Sequence, residues 1–330
     1  MKNSGNQASS AYVARSMTIE TDALAVLDEH PQASRIRSRR LGDGVATLIV
    51  DVTGLGNAER STLERELHDA VSALEGVDEV RIAMTASQPR RTLIAVGSGK
   101  GGVGKSTVSA NLAIALARSG KKVGLVDADV YGPSQPTLLG TDAKPTAEND
   151  QLIPVEAHGL KFLSLGQLVS PGHALAWRGP MATGALAKLI EADWGEAEIL
   201  VVDLPPGTGD VQLSLIQRSR PAGAVIVSTP QDLSLIDARR AVDLFNKMSV
   251  PVLGIIENMA AYACPHCGAE SHPFGTGGAE AAAAELGVPF LGRLPLSVEI
   301  REASDAGRPL AAAEAEFAAL AAKLLAAVAH

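Results

Sequence analysis

The sequence predicts an α/β fold, namely a doubly wound, mostly parallel sheet preceded by a small α+β domain. From Thr92 onward, short apolar runs alternate with helical stretches, which is typical of parallel strands joined by helices. The composition agrees, because 46% of the 330 residues are hydrophobic and only 3% are aromatic. Such a composition favours an aliphatic core of helices packed on a parallel sheet.

The first part of the chain has a different pattern. Residues 1–17 are small and polar and are expected to form a disordered tail. Residues 18–84 predict a small α+β domain, and the polar residues 85–91 predict a linker. The elements expected in the small domain are a short helix, a strand, a second helix and a second strand: Ile19–Asp28, Gly44–Val52, Glu59–Leu74 and Val77–Met84. The arginines between positions 35 and 40 are interpreted as a solvated loop or a strand edge.

Residues 92–330 are expected to form the second domain. A strand at Leu93–Gly97 leads through a glycine-rich loop into a helix at Lys105–Arg118. The C-terminal stretch Leu310–Ala329 predicts an Ala/Leu-rich helix packed on the sheet. Most later apolar runs end in loops of polar, Gly or Pro residues, where open α/β sheets bind ligands. These runs are Lys122–Asp129, Lys161–Gly166, Glu198–Gly207, Gly223–Gln231 and Pro251–Met259.

Charge and cysteine content limit the function classes. The net charge is −8, and both halves are acidic, which argues against a face that binds nucleic acid. We find no apolar run of signal-peptide or membrane-spanning length, and we expect no membrane partner. The two cysteines are too few for a disulfide framework, so we expect a reducing, cytoplasmic compartment.

The loop Gly99–Thr107 (GKGGVGKST) fits the phosphate-binding pattern GxxxxGK[ST], and it follows an apolar strand and precedes a helix. Glycines let backbone N–H groups turn inward around phosphate oxygens, and the helix N-terminus adds partial positive charge. Lys105 is expected to reach the β and γ phosphates, Ser106 to bind Mg²⁺, and Thr107 to lie near the α phosphate. Residues 92–330 are therefore interpreted as a P-loop ATPase domain. The nucleotide-binding residues expected in this loop are Gly99, Lys100, Gly101, Gly102, Val103, Gly104, Lys105, Ser106 and Thr107.

Lys100, directly after the first glycine, narrows the class. Here the sequence resembles the deviant-Walker-A ATPases, the class of MinD, ParA and the nitrogenase iron protein. The resemblance implies that Lys100 reaches across a nucleotide-sandwich homodimer to the partner's ATP and stabilises charge in the transition state.

Acidic residues end two of the predicted strands. Asp203 ends an apolar strand and is expected to hold Mg²⁺ through water, opposite Ser106. Asp127 is interpreted as a helix cap or a structural hydrogen-bonding group. By the resemblance, Asp129 orients the attacking water, the loop after it is switch I, and Pro205–Asp210 is switch II.

Cys264 and Cys267 form a CxxC turn. A [4Fe–4S] cluster or a tetrahedral Zn²⁺ usually needs four ligands, and a two-fold dimer would supply four thiolates from two such turns. The alternatives are a zinc site completed by His266 or His272 and a pair of inert loop thiols. The spacing alone leaves cluster and zinc open.

Seven segments, in this order, carry a resemblance to the Mrp/ApbC-type iron–sulfur carrier ATPases over about Leu93–Leu310: GKGGVGKST, DADVYGPSQP, WRGPMATGAL, VVDLPPGTGD, STPQDLSLIDARRAV, ENMAAYACPHCG and RLPLSVEIRE. The resemblance implies ATP hydrolysis and a [4Fe–4S] cluster that bridges a homodimer on Cys264 and Cys267. It also implies partners, namely apo iron–sulfur proteins and a cluster-assembly scaffold.

The same resemblance assigns nucleotide contacts outside the phosphate loop. It implies that Asn258 contacts the adenine and that Pro295 and Leu296 lie near the base. Taken from the residues alone, Asn258 could equally be an amide that caps a loop.

The N-terminal domain resembles the small iron–sulfur-assembly domain often fused to these ATPases. It contains no cysteine and no Asp-Pro-Glu motif, so an interaction or regulatory role is expected rather than thiolate chemistry.

Two other functions compete with the carrier. The first is a MinD/ParA-like ATPase switch with a zinc-bridged dimer. Proteins of that kind bind membrane or DNA and need a basic tail or a basic surface for it. The C-terminal stretch holds one Lys and two Glu. The second is an electron-transfer reductase like the nitrogenase iron protein, but the position of the CxxC in this sequence does not match that relative.

Overall fold

The computed structural model describes residues 23–85, 91–148, 151–168, 179–309 and 313–329. The chain divides into two compact units, residues 1–89 and residues 90–330.

The first unit is a three-stranded sheet covered by one helix. Its strands are β1 (Ile36–Gly42), β2 (Val45–Asp51) and β3 (Glu79–Thr85), in the order β1-β2-β3. Helix α1 (Asn57–Ser72) crosses between β2 and β3, which are therefore parallel, whereas β1 and β2 are antiparallel. Apolar residues of α1, β2 and the first 3₁₀ helix form the buried core: Leu24, Leu27, Ala46, Leu48, Val50, Leu63, Leu67 and Val71.

The predicted first helix differs from the structure. The described part is a 3₁₀ helix, Ala23–Glu29, and a second 3₁₀ turn follows at Ala33–Arg35. Three arginines of the basic run lie on β1, at the edge of the sheet, in agreement with one of the two interpretations, and Arg35 ends the second 3₁₀ turn. Arg39 donates two hydrogen bonds to Asp28, so its charge is already paired within the unit.

The second unit contains an eight-stranded sheet in the order β15-β12-β11-β4-β10-β5-β9-β8. Its neighbouring strands are parallel except β8 and β9. The predicted doubly wound, mostly parallel sheet is therefore confirmed. The strand bounds are β4 Thr92–Gly97, β5 Val123–Asp127, β8 Val155–Ala157, β9 Leu160–Ser164, β10 Ile199–Asp203, β11 Gly223–Ser228, β12 Val252–Glu257 and β15 Phe290–Arg293. Two short hairpins add β6 Thr146–Glu148 with β7 Gln151–Ile153, and β13 Tyr262–Ala263 with β14 Glu270–Ser271.

Helices cover both faces of this sheet. The described helices are α2 Lys105–Arg118, α3 Gln135–Leu138, α4 Gly179–Ile190, α5 Asp210–Ser219, α6 Asp232–Lys247, α7 Gly278–Leu286, α8 Val298–Asp305 and α9 Glu314–Val328, with a 3₁₀ turn at Leu165–Leu168. Successive residues of a strand enter opposite cores, since Val202 of β10 packs with α4 to α7 and Val201 packs with α2 and α9. The predicted C-terminal helix is α9, and it buries Phe317, Leu320 and Leu324.

The sheet order determines where the phosphate loop lies. Strand β4 is central, with β10 on one side and β11 on the other, so the loop after β4 lies beside the ends of both neighbours. Among the described residues, no helix is long and apolar enough to cross a membrane.

Candidate functional site

The phosphate loop connects β4 to α2 and is held on both sides by neighbouring strands' loops. On the β10 side, Leu204 N donates to Val96 O at 3.0 Å and Gly207 N donates to Ser98 O at 2.9 Å. Gly104 precedes α2 with φ +79°, a left-handed conformation that suits glycine. The loop thus ends at a helix N-terminus, with Val103 buried and Gly101 and Gly102 exposed.

Lys105 is buried in this loop and already has acidic partners. It is 6% exposed, and its Nζ donates to Asp203 Oδ1 at 2.6 Å and to Ser106 Oγ at 3.2 Å. Asp129 Oδ2 lies 3.9 Å from the same ammonium. The structure therefore brings together four residues that the sequence assigned to phosphate, magnesium and water.

Asp203 ends β10 with no exposed surface, and its carboxylate accepts hydrogen bonds from three side chains. Besides Lys105, Ser109 Oγ donates to Oδ1 and Gln135 Nε2 donates to Oδ2, both at 2.9 Å. These contacts satisfy the charge that a buried carboxylate would otherwise leave uncompensated.

Asp127 supports the loop that follows β5. Its Oδ2 accepts from the backbone N–H of Ser134 and of Gln135, each at 3.0 Å, and from Ser164 Oγ at 2.8 Å. Burial, together with the nearby charge of Asp203, raises the pKa of Asp127 to about 7. The side chain therefore holds the start of α3, which is the structural interpretation made from the sequence.

Asp129 is buried beside Lys105, whereas Lys100 is more exposed. Asp129 Oδ1 accepts from the backbone N–H of Tyr131 at 3.1 Å and Gly132 at 3.2 Å. The Lys100 side chain is half-buried, and within the described ranges its ammonium has no hydrogen-bond or ion-pair partner. Its backbone carbonyl accepts from Ser98 Oγ at 2.8 Å.

The donors at the end of β10 suit a magnesium ion. Ser106 supplies a hydroxyl and Asp203 a carboxylate, and Mg²⁺ prefers oxygen ligands. The carboxylates of Asp129 and Asp203 lie beside one buried ammonium, that of Lys105, so the carboxylates outnumber the cation. The residues present therefore fit Mg²⁺ bound beside a phosphate.

Asn258, directly after β12, reaches the phosphate loop from the other side. Its Nδ2 donates to Val103 O at 2.8 Å, so here the amide caps a loop, one of the two roles open from the sequence. Pro295 and Leu296 lie beside it, since Leu294 N donates to Glu257 O at 2.9 Å and Leu296 N donates to Ala261 O at 2.7 Å. The segments that carry the residues assigned to the nucleotide base therefore run side by side, and Asn258 contacts the phosphate loop.

The CxxC turn is at the tip of the hairpin β13–β14. Cys264 N donates to Ala269 O at 2.9 Å and Gly268 N donates to Cys264 O at 2.8 Å, which closes the turn. Hydrogen bonds from the backbone N–H of His266 and Cys267, and then from the Cys267 side chain, lower the pKa of the Cys264 thiol. Both cysteines are free thiols, and Cys267 is exposed.

Neither neighbouring histidine completes a metal site with these thiols. His272 lies with Nδ1 3.1 Å from Ala260 O and Nε2 3.4 Å from Glu270 Oε1. Across the described part of the chain, no group of three or more His, Cys, Asp or Glu is arranged to hold a metal ion. The two thiols of one chain thus supply half of a four-ligand site.

Sequence reasoning missed three polar residues of the site. Ser109 and Gln135 both bind Asp203, and buried Glu257 accepts from Ala279 N at 2.7 Å and Arg293 Nε at 3.0 Å. Ser109 was recognisable, because it lies four residues after Lys105 on the same helix face. The motif residues Trp177 and Arg178 lie outside the described residues.

Comparison with known proteins gives consistent results. A family model described as ParA, NUBPL iron-transfer P-loop NTPase, matches residues 90–329. An iron-sulfur cluster carrier protein of Deinococcus radiodurans is 46% identical over 307 residues, covering 89% of this chain and 87% of the relative. Among solved structures, a nucleotide-binding protein from Archaeoglobus fulgidus in complex with ADP has 40% identity and a TM-score of 0.56, covering 66% of this chain and 86% of that one. The septum site-determining protein MinD of Pyrococcus horikoshii, complexed with Mg-ADP, has 26% identity and a TM-score of 0.54, covering 70% and 94%.

Proposed function

The chain belongs to the family of iron-transfer P-loop NTPases, and on that premise we propose that it is a homodimeric, ATP-hydrolysing carrier of iron–sulfur clusters. It binds a [4Fe–4S] cluster between two protomers on Cys264 and Cys267 and transfers it to apo-proteins. The cluster is its cargo, and ATP with Mg²⁺ drives the cycle.

One observation carries this proposal: a short, hydrogen-bonded segment joins the contact between Asn258 and the phosphate loop to the cysteine turn. Asn258 donates to Val103 O of the phosphate loop, and Cys264 follows six residues later. Between them, Ala260 N donates to Leu294 O at 3.0 Å, and Ala260 O lies 3.1 Å from His272 Nδ1 of the hairpin. A change at the phosphate loop therefore reaches the hairpin through few intervening residues, as coupling between two sites requires.

The residues around Lys105 support ATP hydrolysis. Water attacks the γ-phosphorus, and ADP and phosphate leave. Asp129 orients that water, and Lys105 moves from Asp203 to the β and γ phosphates when ATP binds. The metal ion, when bound by Ser106 and by Asp203 through water, would neutralise charge on the phosphate oxygens. Backbone N–H groups of the glycine-rich loop hold the phosphates in place.

Two features support a dimer as the active form. The half-buried Lys100 has an ammonium without a partner among the described residues, so it is available to the ATP of a second protomer. Two CxxC turns together supply the four thiolates that a [4Fe–4S] cluster uses. The partners beyond the second protomer are apo iron–sulfur proteins and a cluster-assembly scaffold, and free thiols favour a reducing compartment such as the cytoplasm.

The N-terminal domain has a separate role in this proposal. It holds neither of the two cysteines, so it cannot bind a cluster by thiolate. We assign it an interaction or regulatory role, with residues 18–84 as the domain and 85–91 as the linker.

The test is anaerobic reconstitution of the full chain with iron and sulfide. About four irons per dimer, with visible absorption that passes to an apo-protein acceptor, are expected. The double variant Cys264→Ala/Cys267→Ala should bind no iron while it retains ATP hydrolysis.

His266→Ala is the matched control, because His266 lies in the same turn without being a proposed ligand. It should load iron as the unaltered protein does. Stoichiometric zinc in place of iron would contradict the carrier and favour a zinc-bridged ATPase switch. Metal lost in His266→Ala would also contradict it and would favour a zinc site completed by His266.

A further inference from the structure

Among the described residues, the buried side-chain amide of Gln135 forms hydrogen bonds through its nitrogen but not through its oxygen. The residue has no exposed surface and begins α3, the short helix capped by Asp127. Its Nε2 donates to Asp203 Oδ2 at 2.9 Å and to Ser106 O at 3.0 Å. Its Oε1 is buried and has no hydrogen-bond partner within the described residues. A buried acceptor without a donor is costly, so such an atom calls for an explanation.

The orientation of this amide is fixed by its neighbours. Nε2 faces a carboxylate oxygen of Asp203, which forms an ion pair with Lys105, and a backbone carbonyl, and both of these oxygens act as hydrogen-bond acceptors. A flipped amide would place Oε1 against two acceptors and would leave both without this donor. The unused atom is therefore an acceptor that needs a donor from outside the protein.

The position of Gln135 indicates what that donor is. Its nitrogen bridges Asp203 and Ser106, the two residues whose oxygens fit Mg²⁺. Mg²⁺ sheds its water reluctantly and usually keeps several water molecules in protein sites. Metal-bound water donates hydrogen bonds strongly, because the cation polarises its O–H groups.

We propose that Gln135 is a positioning residue for the magnesium–nucleotide complex, with Oε1 accepting a hydrogen bond from a water molecule of the Mg²⁺ shell. This inference rests on the proposed function, since it requires Mg-nucleotide at the phosphate loop. Gln135 thereby connects the metal to both ends of the site: its side chain contacts Ser106 and Asp203, and its backbone N–H is held by Asp127 at the start of α3.

The test measures how Mg²⁺ strengthens nucleotide binding, without relying on turnover. Fluorescent ADP is titrated into the full chain in EDTA and then at rising Mg²⁺. For Gln135→Met, which keeps volume and removes the amide, the Mg²⁺ concentration for half-maximal tightening should rise about tenfold. Affinity in EDTA should stay within about twofold, because the backbone amides and Lys105 supply it.

Ser109→Ala is the comparison variant, because it also removes one hydrogen bond to Asp203 but contributes no unpaired acceptor. We expect it to shift the Mg²⁺ requirement less than about threefold. Equal shifts in the two variants would overturn the inference and leave Gln135 as a support for Asp203.

A structure of the unaltered protein with Mg-ADP gives a second measurement that depends on no variant. Oε1 should lie within hydrogen-bonding distance of a metal-bound water, and an Oε1 with a protein donor or with none would overturn the inference. If the unaltered protein bound ADP with the same affinity with and without Mg²⁺, the inference would also be overturned, although the assignment of a nucleotide site would stand. A protein that binds no nucleotide would overturn the proposed function, and this inference with it.

Discussion

Lys100 and Lys105 lie in one loop but in different surroundings. We therefore expect replacement of Lys105 to lower both stability and ATP turnover, and replacement of Lys100 to lower turnover alone. Lys105 is 6% exposed and pairs with Asp203, which has no exposed surface. Removing one member of a buried pair typically costs about 3–5 kcal/mol, because the other charge stays buried. We therefore expect Lys105→Ala to lower the free energy of unfolding by about that amount and to abolish ATP hydrolysis, measured by urea denaturation and phosphate release.

Lys100→Ala is the matched control for this prediction. Its ammonium has no partner among the described residues, so the free energy of unfolding should change by less than about 0.5 kcal/mol while turnover falls. If Lys105→Ala were as stable as the unaltered protein, the pair with Asp203 would not stabilise the nucleotide-free fold.

Cys264 gives a prediction about pH. Hydrogen bonds from the backbone N–H of His266 and Cys267 lower the pKa of its thiol, so the thiolate should persist to lower pH than in an unfolded chain. Because the folded-state pKa is lowered, the associated stabilisation is present above the unfolded pKa and is lost as pH falls through the folded one. Iodoacetamide labelling of the reduced, metal-free protein, resolved by mass spectrometry, should give a midpoint for Cys264 below that of the same thiol in the unfolded chain.

The same cysteine in urea is the control for the labelling experiment. Unfolding removes the turn, so the midpoint should return to the value of an ordinary thiol, about 8.5. Equal midpoints with and without urea would show that the turn does not activate Cys264.

At the scale of elements, the phosphate loop depends on Gly104 more than on Gly101. Gly104 has φ +79°, and a Cβ there would lie 2.3 Å from Asn258 Nδ2. At Gly101 the nearest atom to a Cβ is Pro206 Cβ at 4.0 Å, and the residue lacks a positive φ. We expect Gly104→Ala to lose about 1–2 kcal/mol of stability from backbone strain alone and to break the contact between Asn258 and Val103.

Thermal unfolding of the nucleotide-free protein measures this effect, and the shift caused by added Mg-ADP measures the loss of binding. Gly101→Ala should leave the nucleotide-free Tm in place. A Gly104→Ala protein with an unaltered Tm would mean that the loop can relax around a side chain.

The strands that border the site were predictable because burial on both faces leaves a continuous apolar run. Strand β10 is buried along its whole length, and its sequence is apolar until Asp203. Strand β1 was open only as one of two interpretations, a strand edge or a solvated loop, because its arginines interrupt the apolar pattern of a strand. Strand β15, at Phe290–Arg293, was missed because it is four residues long.

Within the site, sequence motifs predicted the residues that are close together along the chain. They did not predict the contacts of residues that only the fold brings together. The loop from Gly99 to Thr107 is contiguous, so its spacing is visible in the sequence. Gln135 contacts Asp203 across 68 positions, and its buried state follows from the capping of α3 by Asp127. Gln135 lies in the quoted segment DADVYGPSQP, but nothing in that segment shows that its amide contacts Asp203.

For the whole molecule, strand order explains why the phosphate loop, its acidic neighbours and the segment that leads to the cysteine turn lie at the same end of the large sheet. Because β4 is central, loops after β10 and β5 supply the acids on one side, and the segment after β12 supplies Asn258 on the other. That segment continues into the hairpin that carries the cysteines. The segment after β12 therefore contacts the phosphate loop through Asn258 and leads directly to the cysteine turn, so a nucleotide-dependent movement of the loop has a short route to the cysteines.

The division into two units leads to a prediction for the isolated second unit. Residues 90–330 contain both apolar clusters of the large sheet, whereas the apolar cluster of the first unit draws only on residues before position 90. The phosphate loop, Asp203 and the CxxC turn all belong to the second unit. We expect residues 90–330, expressed alone, to unfold in one cooperative transition, to bind ADP with the affinity of the full chain, and to load iron on Cys264 and Cys267.

Cluster transfer to an acceptor protein should be compared in the same preparation, because slower transfer with intact loading would assign the first unit to partner interaction. A fragment that is unfolded, or that binds ADP at least tenfold more weakly, would show that the ATPase unit depends on the first ninety residues.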